Sequence, residues 1–211
     1  MSIYKVNIAL YNKVAEAYEA KFMNNSIYHK SYDALLECMV NKHLSVLDIA
    51  CGPGNISKYI LSKKPECIIT GIDAAPNMVS LATKNIPSGL FKVMDCRDVL
   101  QLNQMFDVII CGFCMPYITK ADVKKLLVDM SAMLNQNGIL YMSTMEGVYD
   151  SSDFEKASFG GENQIFIHYH EEAYLKEYLA ECGLTVEKLI KQNYPESDGS
   201  ITIDMIFIAK K

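Results

Sequence analysis

The sequence predicts an α/β fold: a doubly wound, mostly parallel sheet with helices ahead of it and an antiparallel hairpin at its C-terminal end. Three observations predict it. Strand-like and helix-like segments alternate with short links between residues 46 and 144. The strand-like segments are continuous apolar runs, such as Cys67-Ile68-Ile69-Thr70-Gly71-Ile72, which is the composition of strands covered on both faces. The last two runs, 184–191 and 201–209, flank the turn-rich Tyr194-Pro195-Glu196-Ser197-Asp198-Gly199, a link too short for a parallel crossover.

Each element has its own signal. Residues 5–23 carry Val6, Leu10, Val14, Ala17 and Tyr18 near helical spacing and read as one helix; 29–41 reads as a second. Val46–Ala50 is a strand and 55–62 a helix. After the strand at 67–72, a helix over 76–84 has Pro76 in its first turn, where the missing N–H costs nothing. Strands follow at 90–94 and 106–111. A helix over about 120–134 is expected to end at Asn137-Gly138, ahead of a strand at 139–144. Residues 146–163 hold Gly147, Ser151, Ser152, Asp153, Gly160 and Gly161 without a clear period, and read as a long loop or lid. Ile165–Ile167 is a short strand, and 171–182 a helix closed by Gly183.

With 211 residues, the chain is most simply one domain. Within it 1–43 forms a helical cap, 44–145 a core, 146–163 the lid, and 164–211 a final helix and hairpin. Half of the residues are hydrophobic, which excludes a disordered chain. The net charge is −5 and the 20 Lys and Arg are scattered, so no basic stripe offers itself to nucleic acid. No apolar run approaches the ~18 residues that span a bilayer, and Lys5 and Asn7 interrupt any signal-peptide pattern. Seven cysteines, an odd number in apolar segments, fit reduced thiols in a cytoplasm.

The chemistry begins at Val46-Leu47-Asp48-Ile49-Ala50-Cys51-Gly52-Pro53-Gly54, where a buried strand carries a carboxylate and then breaks on glycines. In open parallel sheets, ligands sit at the carboxyl ends of the strands. Asp73 and Asp95 close the next two strands, and Cys111-Gly112-Phe113 the fourth. An acidic residue placed like Asp73 can hold ribose hydroxyls. A nicotinamide dinucleotide fits poorly. Its G-x-G-x-x-G pattern needs glycine where Ser57 stands, Pro53 removes a backbone donor, and Asp48 would repel phosphate. The loop asks for a ligand with a ribose, close backbone approach and positive charge. S-adenosylmethionine meets all three.

At these residues the chain resembles the class I S-adenosylmethionine-dependent methyltransferases of the small-molecule type. Residues 46–54 look like the first motif, with Ala50 in place of the usual glycine. Gly71-Ile72-Asp73-Ala74-Ala75-Pro76-Asn77-Met78 looks like the second, and Met94-Asp95-Cys96-Arg97-Asp98 like the third. Phe106–Ile110 and Leu134–Leu140 are similar to the fourth and fifth. The resemblance implies a Rossmann-like, seven-stranded sheet and S-adenosyl-L-methionine as cofactor, with a small-molecule methyl acceptor. It implies cofactor contacts at Ala50, Cys51, Gly52, Gly54 and Cys111. Asp48 is expected at the amino-acid end, Asp73 at the ribose, Ala74 and Met78 beside the adenine, and Asp95 with Cys96 at the adenine amino group. Tyr11, on an N-terminal helix that often lids the cofactor in this family, is a further pocket residue. A non-catalytic, partner-activated subunit stays open as an alternative, because no catalytic group is specified.

Other signals point less clearly. Cys111-Gly112-Phe113-Cys114 has redox spacing, but Pro116 follows and no helix opens at Cys114 to activate a thiol. His168 and His170 would share a strand face and, with Glu171, could ligate a metal. The reading adopted is no metal, with His170 beside the acidic first turn of the next helix. His168, His170, Tyr117 and Glu146 are candidate catalytic groups. The acceptor is expected against Phe113–Tyr117 and Met145–Tyr149.

Overall fold

The computed structural model describes residues 2–156, 164–196 and 199–211. Helices α1 (Ile3–Lys13), α2 (Ala15–Phe22) and α3 (His29–Cys38) precede the sheet. Then β1 (Ser45–Ile49), α4 (Asn55–Lys63), β2 (Ile68–Asp73), α5 (Pro76–Asn85), β3 (Leu90–Val93) and β4 (Phe106–Gly112) alternate. They are followed by α6 (Lys120–Met133), β5 (Leu134–Met145), β6 (Asp153–Lys156), β7 (Gln164–Ile167), α7 (Glu172–Glu181), β8 (Thr185–Pro195) and β9 (Ile201–Lys210).

Seven strands form one sheet in the order β3-β2-β1-β4-β5-β9-β8, and β6 pairs with β7 in a separate ribbon. The pairings among β1 to β5 are parallel; β9 runs antiparallel to both β5 and β8. The expected α/β class and the final antiparallel pair are therefore present. Strand order reverses between β1 and β4, so the crevice for a ligand opens at the carboxyl ends of those two strands.

Strand alternation builds two cores. Leu47, Ile49, Ile109, Leu140 and Phe207 face α6 and α7, packing on Leu126, Leu127 and Leu175. Val46, Ile69, Ile110, Tyr141 and Ile206 face the other way, onto Leu35 of α3 and Ile56 and Ile60 of α4. A side chain such as Ile60, wholly buried, contributes ~1.5–3 kcal/mol by leaving water.

Four differences from the sequence reading matter. The expected helix at 5–23 breaks at Val14 (φ −103°, ψ 15°) into α1 and α2. The break serves two targets: Leu10 packs on Ile165 and Ile167 of β7, and Ala15 on Met78 of α5 and on Ala75 just before it. Second, α6 stops at Met133, and Asn137-Gly138 lies inside β5 rather than ending a helix. The Phe106↔Leu134 pairing jumps to Val108↔Ile139, so the extra residues bulge out, with Asn137 at φ 64°. Third, part of the expected loop at 146–163 is strand β6, paired with β7. Its side chains are mostly exposed, so no apolar alternation announces it; residues 157–163 of the expected lid lie outside the described residues. Fourth, β7 ends at Ile167, so His168 and His170 are not on one strand face.

Candidate active site

Two adjoining cavities open at the sheet's crossover point. Both are lined by Tyr11, Tyr18, Ala50, Gly52, Phe113 and Tyr117. The first extends toward Asp73, Ala74, Met78, Asp95 and Cys96. The second extends toward Asp48, Cys51, Tyr28, Tyr32, Met145 and Asp204.

The loop after β1 gives the cavities their shape. Ala50 and Gly52 both take the left-handed backbone (φ 54° and 53°), as does Gly54 (φ 85°) where it caps α4. Glycine takes this conformation without penalty, whereas Ala50 holds some strain where the resembling family usually has glycine. Gly112, at the end of β4, lines both cavities, and a Cβ there would meet Ile56 Cδ1 at 2.5 Å.

Asp73 ties the loop to α5. Its Oδ2 accepts from the Gly52 N–H at 2.9 Å and its Oδ1 from the Ala75 N–H at 2.8 Å. Burial nevertheless raises its pKa. Asp48 accepts from the Ser57 hydroxyl at 2.6 Å, so the residue standing where a dinucleotide loop needs glycine holds this carboxylate. Burial outweighs that bond and pushes Asp48 up to about 7, with the Asp73 charge adding to the shift. Asp95 differs. The Arg97 guanidinium forks onto both its oxygens, at 2.9 and 2.7 Å, and holds its carboxyl below the usual range.

The N-terminal helices cover the crevice and are pinned there. The Asn7 amide donates to the Phe166 carbonyl (2.9 Å) and accepts from the Phe166 N–H (3.1 Å), which extends the β7 edge as a strand would. Asn12 binds Asn77 twice, at 2.8 and 2.7 Å, and Glu19 accepts from Asn85 at 2.6 Å. The Tyr4 hydroxyl bonds Asp122, and the Tyr11 and Tyr117 hydroxyls bond each other where the two cavities meet. Burial raises the Tyr11 pKa well above its ordinary value and that of Tyr117 to about 12, so both stay protonated.

Among the residues expected at the cofactor, Tyr11, Ala50, Gly52, Asp73, Ala74, Met78, Asp95 and Cys96 line the first cavity. Asp48 and Cys51 line the second. Gly54 and Cys111 line neither: Gly54 turns the chain into α4, and Cys111 is wholly buried in the core under α6.

Of the four catalytic candidates, Tyr117 alone lines a cavity. His170 is fully buried, with Nε2 donating to the Met115 carbonyl at 2.9 Å and Nδ1 accepting from the Tyr174 hydroxyl. Burial pulls it down to about 4, so it is neutral at pH 7. His168 stacks on Tyr149 with ring centroids 5.8 Å apart, and neither ring nitrogen has a partner among the described residues. Glu146 pairs with Lys191 at 2.6 Å, outside both cavities. Of the residues expected against the acceptor, Phe113, Tyr117 and Met145 line the second cavity and Cys114 the first, whereas Met115, Pro116 and residues 146–149 line neither. Within the Cys111-x-x-Cys114 spacing the Cys114 thiol is pushed well up, first by its hydrogen bond with Cys111, opposite to an activated redox thiol. Among the described residues no group of His, Cys, Asp and Glu is arranged to hold a metal ion.

Sequence reasoning missed the far wall of the second cavity: Tyr28, Tyr32, Tyr194 and Asp204. One signal was available for Asp204, a lone carboxylate within the apolar run Ile201–Ala209.

Comparison with known proteins agrees with this geometry. Residues 46–138 match a family model described as a methyltransferase domain. A malonyl-[acyl-carrier protein] O-methyltransferase from Anoxybacillus flavithermus is 26% identical over 121 residues, 56% of this chain and 46% of that protein. A demethylmenaquinone methyltransferase from Thermotoga maritima is 26% identical over 137 residues, 62% of this chain and 58% of that protein. The chain thus spans about half the length of such relatives. Magnesium protoporphyrin IX methyltransferase from Synechocystis, solved with bound S-adenosylmethionine, superposes with a TM-score of 0.74 at 13% identity, covering 100% of this chain and 98% of that one. Residues 46–138 thus match a methyltransferase domain, and the chain has the fold of a methyltransferase solved with bound S-adenosylmethionine.

Proposed function

We propose that the protein transfers a methyl group from S-adenosylmethionine to a small-molecule acceptor. The observation that carries this reading is the pair of joined cavities at the crossover of β1 and β4, one walled by Asp73 and the glycine loop, the other by tyrosines and a buried acid. When bound, S-adenosylmethionine supplies a methyl group already activated on a sulfonium. The chain's own part is to align the reactants and keep water out.

In this reading Asp73 accepts from the ribose hydroxyls, Ala74 and Met78 pack on the adenine, and Gly52 allows close approach. Asp95 serves the adenine amino group while sharing its oxygens with Arg97. Asp48 faces the cationic end, and Tyr11, Tyr18 and Tyr117 roof the site under α1 and α2. Burial of their rings supports the exclusion of water. The seven cysteines are all free, which supports placing the protein in a reducing cytoplasm. Among the described residues no helix is long and apolar enough to cross a membrane.

Calorimetry with S-adenosylmethionine and its demethylated product, S-adenosylhomocysteine, tests the reading. Micromolar affinity, about −8 kcal/mol, is expected. No heat and no thermal stabilisation at millimolar cofactor, in protein shown free of carried-over ligand, would overturn it. Stabilisation by a nicotinamide dinucleotide instead would favour oxidoreductase chemistry.

A further inference from the structure

The second cavity ends on a carboxylate that the fold has no need of. Asp204 lies on β9 opposite Met145, the last residue of β5, and is only 2% exposed. Its neighbours on the same strand face, Ile206 and Ile208, are core residues. Its Oδ2 accepts from the Tyr28 hydroxyl at 2.7 Å. Among the described residues no other donor reaches it, which leaves acceptor capacity turned to the cavity it lines. No cation is paired with it among the described residues, although a buried charge ordinarily demands one.

The walls around it are aromatic. Tyr28 packs on Phe113 with centroids 5.1 Å apart, and on Tyr32 at 6.5 Å. Tyr194 lines the same end. The charged residues lining this cavity are Asp48, Glu155, Asp204 and the exposed Lys156. Three acids and π faces, with Lys156 at the rim and the Lys21 ammonium 5.1 and 6.0 Å from the Phe22 and Tyr194 ring centroids, make a place for a cation. An acceptor bearing a carboxylate or phosphate would meet like charge.

We propose that the acceptor is a small-molecule primary or secondary amine, bound as its ammonium ion by Asp204 among the rings of Tyr28, Tyr32 and Phe113. This inference rests on the methyltransferase reading and names its substrate class. Asp204 has a second task here. An ammonium ion has no lone pair, so it cannot receive a methyl group. Its N–H proton passes to the Asp204 carboxylate, leaving a neutral amine with its electron pair free and a neutral carboxylic acid. Burial pushes Asp204 up to about 7, opposed by the Tyr28 bond and reinforced by the Glu196 charge, so it can hold that proton at neutral pH.

Matched probes test this: 2-phenylethylamine, 2-phenylethanol and phenylacetate, each titrated into protein saturated with S-adenosylhomocysteine. The amine should bind at least about tenfold more tightly than the alcohol or the acid, the factor expected of one charge-assisted hydrogen bond. In Asp204→Asn that preference should vanish while S-adenosylhomocysteine affinity holds. Tyr28→Phe, which keeps the carboxylate, should retain it. Equal binding of the probes, a preference for phenylacetate, or an amine preference that survives in Asp204→Asn would overturn the proposal. The wild-type comparison stands even if Asp204→Asn fails to fold. Affinity for S-adenosylhomocysteine, measured first, separates the two failures: without it the methyltransferase reading falls, and with it but no amine preference only the acceptor class does.

Discussion

Replacing Asp73 by alanine perturbs two tasks of one side chain. An ionised carboxylate offers about four acceptor sites. Two are engaged by the Gly52 and Ala75 N–H groups, at 2.9 and 2.8 Å. The remaining two match the two hydroxyls of a ribose. Each N–H left buried without an acceptor costs ~1–3 kcal/mol. Against that, the burial that raises the Asp73 pKa means that its charge is poorly solvated, and alanine removes that burden. The net loss should fall near ~1–3 kcal/mol, a drop in Tm of about 2–12 °C for a chain of this size. Affinity for S-adenosylhomocysteine should fall at least tenfold, since each charge-assisted bond is worth ~1.5–3 kcal/mol. Asparagine is no gentler control, because its amide has one oxygen and would turn an NH2 toward one of the two N–H donors. The assay is calorimetry with S-adenosylhomocysteine, alongside melting of the free protein. Unchanged affinity in a folded Asp73→Ala variant would place the ribose elsewhere. An unchanged Tm would show that the glycine loop stands without this carboxylate.

Other expectations can be checked on the same protein. Asp48 and Asp204 are both pushed by burial from 3.8 to about 7. A folded-state pKa above the unfolded one means that the native state keeps its proton longer. Each acid therefore contributes stability that is lost as pH rises from about 4 to about 7, opposed in that window by His170, whose lowered pKa adds stability as pH rises; the stability of the free protein minus that of Asp204→Asn should fall across the window, and a difference that stays level or climbs would contradict the assignment. His170→Ala leaves the Met115 carbonyl and Tyr174 hydroxyl without their partner and opens a void, so it should cost about 2–4 kcal/mol while S-adenosylhomocysteine affinity stays within about twofold. Loss of methyl transfer without loss of stability would restore this histidine as a catalytic group. Hydrogen exchange should slow in α1 and α2, as well as in the glycine loop, when S-adenosylhomocysteine binds; a response confined to the loop would mean that these helices do not cover the ligand.

The two cavities differ in how far the sequence discloses them, and the reason is physical. The first is built from local units: a strand, a sharp turn and a helix N-terminus, repeated along the sheet. Asp48, Gly52 and Asp73 each stand where one such unit turns, so order along the chain is order in space. The far end of the second cavity has no such unit. Tyr28 and Asp204 meet across 176 residues of sequence, and Tyr32, Phe113 and Tyr194 arrive from three further segments. The histidines misled for a related reason. Spacing places His168 and His170 on a common strand, but β7 has ended before either, and His170 answers to Met115 and Tyr174 instead. What the two cavities share is the signal that Asp48 and Asp204 leave in their strands. Each interrupts an apolar run, each is 2% exposed, and each accepts from a hydroxyl rather than pairing with a cation. A carboxylate in that position weakens the free protein, and hydrophobic side chains would pack better there. With the half-buried Asp73 they give the carboxyl edge of this sheet three acids and no buried base among the described residues lining the cavities. Such an edge repels a pyrophosphate. It suits ligands that bring positive charge: a sulfonium on one side and, on the proposal made here, an ammonium on the other.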